Sequence, residues 1–481
     1  MPTYFRSYYL IFIALVQLLH FFTNSYCQQI EATVEVRPEA PTIAFVSGRF
    51  LDGVQKSGSR NLSFVRSYGG FTDLGKRIGN VELKGAGGNP VSFQTAVPGE
   101  YVADAAFTDW SYSIDLAPRK EQNAAAHLSW LSADRGILMF GDLLPMFGTN
   151  GAKISARIFL RASKDVEINS PNIYDEVVAV GKDQRSFSEA RGDTKLRFDI
   201  SGNWLFSDED VKKFADEIYG YYKNVFVSNP VKDVSMRIMR FPGDVQPGAW
   251  QANTRGGNIT LVSSDMPFKT QSLQRLHEQL RHEMFHLWIP NGVNLSGNYD
   301  WFYEGFALYS SLKLALAHNQ IRFEDFLDTL SRAYAIDARR VDRLSLVTAS
   351  ANRFNGSETY IYARGMVTAF LCDVALLSHS KGKSSVFDVL CEIYTMHKYP
   401  APRVDGNTAV VSIMRIHSEL SPIVDKYVDG SGVIEWENEL SHAGMEYTKN
   451  GLMVMTKLNG RQKDLLNSLG YNNWRRLSQT K

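Results

Sequence analysis

An α+β chain in two parts, β-rich first and helical second, is what this sequence predicts, and three observations predict it. Short alternating runs of apolar and polar residues fill positions 31–160. Apolar residues at three- and four-residue spacing dominate from Lys269 to Tyr399. At 481 residues the chain is also too long for one ordinary core.

The first part reads "TVEVRPEA", "TIAFVSGRFL", "NVELKG", "YVADAAF", "YSIDL" and "ISARIFLRA". These runs are separated by Gly, Pro, Asn and Asp, the pattern of a β-sandwich-like domain. A second β segment, "DEVVAV" to "TKLRFDISG", leads into a helix, "SDEDVKKFADEIYGYYKNVF", with Ser207 as its expected N-cap and acids in its first turn. Two more strands, "SMRIMRFPG" and "GNITLVSS", precede the helical region. No internal repeat and no low-complexity linker interrupts this order. A sheet lobe beside a helical lobe leaves a cleft suited to a site.

With 44% hydrophobic and 21% charged residues the chain is globular rather than disordered. A net charge of +1 without long basic runs excludes the electrostatic footprint of a nucleic-acid binder. The N-terminus carries one cation, Arg6, and an apolar stretch from Tyr8 to Phe22. That is short of the roughly 20 residues a bilayer span needs and suits a signal peptide. Ser25 and Cys27 fall at the −3 and −1 positions for cleavage before Gln28. Secretion, or export to a periplasm, is therefore expected, with a retained membrane anchor as the alternative. Of the remaining cysteines, Cys372 and Cys391 lie in apolar helical segments and read as free thiols. Asn61, Asn258, Asn294 and Asn355 open N-x-[ST] sequons, relevant only where the source glycosylates proteins.

The chemistry concentrates in "LRHEMFHLW", residues 280–288. Leu273, Leu276, Leu280, Met284 and Leu287 form one apolar stripe, and His282 and His286 fall roughly opposite it. Their i, i+4 spacing brings two imidazoles to one point, with Glu283 beside them. The competing reading is two histidines that merely share a helix. A catalytic zinc takes three protein ligands and keeps an open position. Glu304, in "DWFYEGFALYSSLKLALAH", supplies a third, because a carboxylate in an apolar helix is costly to bury unless paired or bound to metal. Pro290, Gly292 and Gly297 let the chain reverse between the two helices.

"HEMFHLW" followed by "WFYEGFALY" resembles the glycyl aminopeptidase family of HExxH…E zinc peptidases, the gluzincins, which are relatives of the alanyl and leucyl aminopeptidases. Their later Tyr-x-[Lys/Arg]-Gly is matched by Tyr362, Ala363, Arg364 and Gly365, and "VDKYVDGSGVIEWENELSHAGMEY" is similar to the segment that closes their catalytic domain. The resemblance implies a thermolysin-like catalytic domain of small sheet plus helical lobe. It also implies Zn²⁺ on His282, His286 and Glu304, Glu283 as general base toward a zinc-activated water, and Tyr362 as donor to the oxyanion. The family carries a "GGLEH"-like strand whose glutamate receives the substrate's free N-terminus. Here the stretch reads "RGGNIT", with Ile259 in the glutamate's place. Gly256, Gly257 and Asn258 are then expected to dock substrate main chain without selecting a free amine. Only about thirty residues follow Gly451, so the family's usual C-terminal PDZ domain is not expected.

The resulting organisation is a signal peptide at 1–27, an N-terminal β domain at 28–165, a catalytic domain at 166–450 and a tail at 451–481. The function implied is a secreted zinc metallopeptidase acting on peptides or proteins, with no nucleic-acid partner and a membrane partner only if the leader is retained. The alternatives are a membrane-anchored peptidase, a non-peptide zinc hydrolase, or an inactive binding module on the same fold.

Overall fold

The computed structural model describes residues 29–51, 60–146 and 153–473. The leader, with Arg6, Ser25 and Cys27, lies outside the described residues. The chain divides into two compact units.

The first unit comprises residues up to Ser67, Thr72–Ala117 and Ser129–Val180. Its main sheet contains β1 (Ile30–Val36), β2 (Ile43–Phe50), β3 (Ile78–Lys84), β4 (Asp109–Asp115), β5 (Ala156–Arg161) and β6 (Asp165–Ser170). Their order is β6-β5-β1-β2-β4-β3. β1 runs parallel to β5, and the other neighbours pair antiparallel. Period-2 alternation sends Ile30, Ala32 and Val34 into a core shared with Val46, Tyr112 and Leu160. Gly48 is required on β2, since a Cβ there would lie 2.3 Å from the Trp110 ring. The unit runs past 165 to Val180, because β6 belongs to its sheet.

The second unit comprises Tyr68–Phe71, Pro118–Leu128 and everything from Gly181 onward. Its sheet is built from β7 (Arg185–Arg191), β8 (Thr194–Ile200), β9 (Asp233–Arg240), β10 (Trp250–Arg255) and β11 (Asn258–Ser263). The order is β7-β8-β9-β11-β10, with β8, β9 and β11 parallel and antiparallel strands at both edges. The helix α1 (Asp208–Phe226) makes the crossover from β8 to β9 that a parallel pair needs. Ser207 caps it in a capping box with Asp210, as its sequence predicts.

Helices follow: α2 (Lys269–Phe285), α3 (Asp300–Ala317), α4 (Phe323–Ala338), α5 (Glu358–Ser380), α6 (Val386–His397) and α7 (Gly406–Ile416). Residues 451–469 are not a loose tail. β12 (Met445–Thr448) pairs with β13 (Gly451–Val454), and α8 (Gly460–Leu469) buries Leu465, Leu466 and Leu469. Ser331 on α4 receives the Leu452 N–H at 2.8 Å, so this segment is part of the unit's core. Cys372 on α5 and Cys391 on α6 are both free thiols.

Candidate metal centre

α2 is buried on every side in its last two turns, from Gln279 to Phe285. The imidazoles of His282 and His286 therefore face protein, not water, and meet with their Nε2 atoms 3.2 Å apart. α3 brings Glu304 Oε2 to 3.3 Å from His282 Nε2 and 3.5 Å from His286 Nε2. The three residues expected from spacing thus converge, each under a tenth exposed. Burial alone would raise the Glu304 pKa, but the two imidazoles and the Arg353 charge hold it well below the usual carboxylate range. Burial alone would likewise lower His286, and Glu304 raises it. His286 Nδ1 lies 3.1 Å from the Ile289 carbonyl, which makes Nδ1 the donor and leaves Nε2 with its lone pair. Buried Glu304 Oε2 has no hydrogen-bond partner among the described residues. Lone pairs converging in a buried place with no donor between them fit a cation, and N₂O is a zinc donor set.

What brings α3 and α5 so close is glycine on both. A Cβ on Gly305 would lie 2.5 Å from Gly365 backbone, and one on Gly365 would lie 2.5 Å from the Trp301 carbonyl. The two backbones touch, and each glycine is the neighbour, or near neighbour, of a site residue: Glu304 on α3, Tyr362 on α5. Arg364, between them, has no place in the site. It is fully buried, pairs with Asp337 at 2.8 Å and donates to the Tyr427 and Gly432 carbonyls. The Tyr362 ring stacks near His282 at 6.4 Å between centroids. Burial and the Glu304 charge push its phenol well above its ordinary pKa, so it stays protonated and able to donate.

Glu283 is 4% exposed, and its Oε2 accepts from the Thr254 hydroxyl at 2.7 Å. Thr254 lies on β10, the polar edge strand of the sheet. Asn291 fastens the same strand to the end of α2, donating to the Thr254 and His286 carbonyls and accepting from the Gly256 N–H. Gly256, Gly257 and Asn258 lie at the turn from β10 into β11. Gly256, at φ +54°, reverses the chain, and Asn258 opens β11, an inner strand flanked by β9 and β10. The Asn258 amide oxygen accepts from Arg237, and Ile259 is completely buried in the core. The edge beside Glu283 belongs to "WQANTR", which has no apolar alternation and so does not read as a strand.

Sequence reasoning also misses Arg353, whose guanidinium donates to Asp300, Glu304 and Tyr362. A second cluster, Glu217, His277 and His318, has ligand atoms within 4.8 Å of one another. Arg281 donates to His277 Nδ1, which puts the imidazole proton on Nε2 and makes that nitrogen a donor rather than a metal ligand.

No family model and no curated protein matches the chain. Solved structures do. An aminopeptidase N family protein from Idiomarina loihiensis superimposes with a TM-score of 0.73 at 13% identity, over 90% of this chain and 82% of that one. An M1 zinc metallopeptidase from Deinococcus radiodurans gives 0.52 at 14% identity, over 85% and 94%. A variant of the latter, bound to a Tyr-Ser-Ala substrate, gives 0.55 at 15% identity, over 85% and 95%. The chain has the fold of these M1 zinc metallopeptidases.

Proposed function

We propose that this chain is a zinc metallopeptidase that hydrolyses peptide bonds in a thermolysin-like site. The observation that carries the reading is the convergence of His282, His286 and Glu304, with a buried carboxylate and a protonated phenol at its borders. Zinc held there would polarise the scissile carbonyl and acidify the attacking water. Glu283, oriented by Thr254, accepts the water's proton and passes it to the leaving amine. Tyr362 donates to the oxygen that gains charge. β10, with one edge that no strand among the described residues pairs, suits docking of an extended substrate through its main chain. The finer placement beside the glycyl aminopeptidases rests on the motifs at 282–286, 304–305 and 362–365. The leader-like segment supports secretion.

The purified protein is expected to hold one zinc per chain and to cut peptides. Glu283→Gln should keep the metal and lose turnover, whereas Glu304→Ala should lose the metal. Metal analysis showing the reverse pattern would overturn these roles, and two zincs per chain would mean that the His277 cluster also loads.

A further inference from the structure

Arg353 makes four polar contacts with one side chain that is 12% exposed. Nη1 donates to Asp300 Oδ1 at 2.7 Å and to Glu304 Oε1 at 3.0 Å. Nη2 donates to the Tyr362 oxygen at 2.8 Å and approaches Glu358 Oε1 at 3.4 Å. Arg353 opens the irregular turn Arg353–Ser357 ahead of α5, where Gly356 supplies a φ of +87°. The turn therefore aims the guanidinium back at the ligand helix α3. Asp300, in the first turn of α3, clamps it from the other side and also accepts from the Tyr303 hydroxyl at 2.6 Å.

Two consequences follow from which atoms are occupied. Glu304 has one oxygen taken by Arg353, and the other, without a partner, faces both imidazoles. Tyr362 receives a hydrogen bond from Arg353 on its oxygen, so its own proton points away from the guanidinium, and with no substrate at the site Glu304 is the acceptor it meets. A planar guanidinium can hold a carboxylate and a phenol in one fixed relation, which a lysine cannot.

We propose that Arg353 is a positioning residue of the zinc site: it reserves Glu304 Oε2 for the metal and turns the Tyr362 hydroxyl so that its proton is offered to the substrate. The proposal rests on the peptidase reading above. Arg353 does not itself touch the reacting atoms; it acts through Glu304 and Tyr362. Removing it frees Glu304 to present both oxygens and leaves the phenol free to rotate.

The test is a double-mutant cycle with metal affinity as a second readout. Arg353→Ala should lower kcat by about 10²-fold with KM within about threefold, the size of losing one oriented oxyanion donor. In a Tyr362→Phe background, itself lowered about 10²-fold, the same change should cost less than about fivefold, because both act through one hydroxyl. Zinc affinity, measured by chelator competition, should be no weaker in Arg353→Ala than in the parent, while Glu304→Ala weakens it at least about 10²-fold. Arg353→Lys, which keeps the charge and is the variant to use if Arg353→Ala does not fold, should remain at least about tenfold slow. Full multiplicative losses in the Tyr362→Phe background would overturn the proposal, as would kcat unchanged in Arg353→Ala. So would zinc lost as completely as in Glu304→Ala, which would make Arg353 part of the metal's support alone. If the parent binds zinc but cuts no peptide, the peptidase reading fails, and the affinity comparison still decides whether Arg353 governs Glu304.

Discussion

His277 lies on α2 and His286 caps its end, and burial lowers the pKa of both, yet the balance differs between them. His286 faces Glu304 and is raised, whereas at His277 burial prevails. Burial, with the Arg281 and His318 charges, takes its pKa from 6.5 down to about 3. Between those values the unfolded chain binds a proton that the folded chain refuses, so His277 makes stability fall as pH drops below 6.5. His277→Gln keeps an acceptor for Arg281 and removes the titration. Denaturant unfolding of the metal-free protein between about pH 6.5 and 4 should then show a slope shallower by up to about one proton. An unchanged slope would mean His277 is protonated when folded. The residues legible in the sequence are those whose partners stand at helical spacing, His282 and His286, or on the next helix, Glu304. Arg353 reaches Glu304 across 49 positions, Asn291 reaches Thr254 across 37 and Thr254 reaches Glu283 across 29, without any motif to announce them.

At the scale of elements, the apolar helices and the alternating strands read directly, because each has one face in a core. β10 does not, since every residue from Trp250 to Arg255 is half-buried and most are polar. The sequence therefore draws attention to β11, whereas the strand beside Glu283 is β10. The crossing of α3 and α5 was signalled only as two motif glycines, and the physical reason is backbone contact. Gly305→Ala must separate two main chains that no rotamer can relieve, at a cost of about 1–3 kcal/mol or more. Because Glu304 and Tyr362 ride on those helices, activity should fall further than stability. Calorimetry and peptide turnover on Gly305→Ala would check this; full turnover with a lowered Tm would show that the site tolerates the shift.

For the whole molecule, the α+β order and the convergence of His282, His286 and Glu304 were legible, and the division into units only in part. Tyr68–Phe71 and Pro118–Leu128 come from the β-rich half in sequence but pack with the second unit, where Arg255 donates to the His127 carbonyl and lies over the Tyr68 ring. Such exchanges leave no compositional mark. Selectivity is a property of the complete site: β10 has no carboxylate, and Asp300 and Glu358 both face Arg353. If the chain cuts peptides as proposed, a free substrate amine meets no uncommitted carboxylate among these described residues, and N-acetylated peptides should be cut at least as fast as free ones. Strict dependence on a free N-terminus, in a paired-substrate assay, would refute this. The buried contacts of Arg364 bear on the order in which the second unit can complete itself. Its carbonyl partners, at Tyr427 and Gly432, are made more than sixty residues after it. During synthesis its counter-ion Asp337 precedes it, but the two carbonyls that take up its remaining donors come later, and each unmet buried donor costs about 1–3 kcal/mol. The stretch of α5 that carries Tyr362 and Arg364 is thus fully braced only when residues as far as Gly432 are in place.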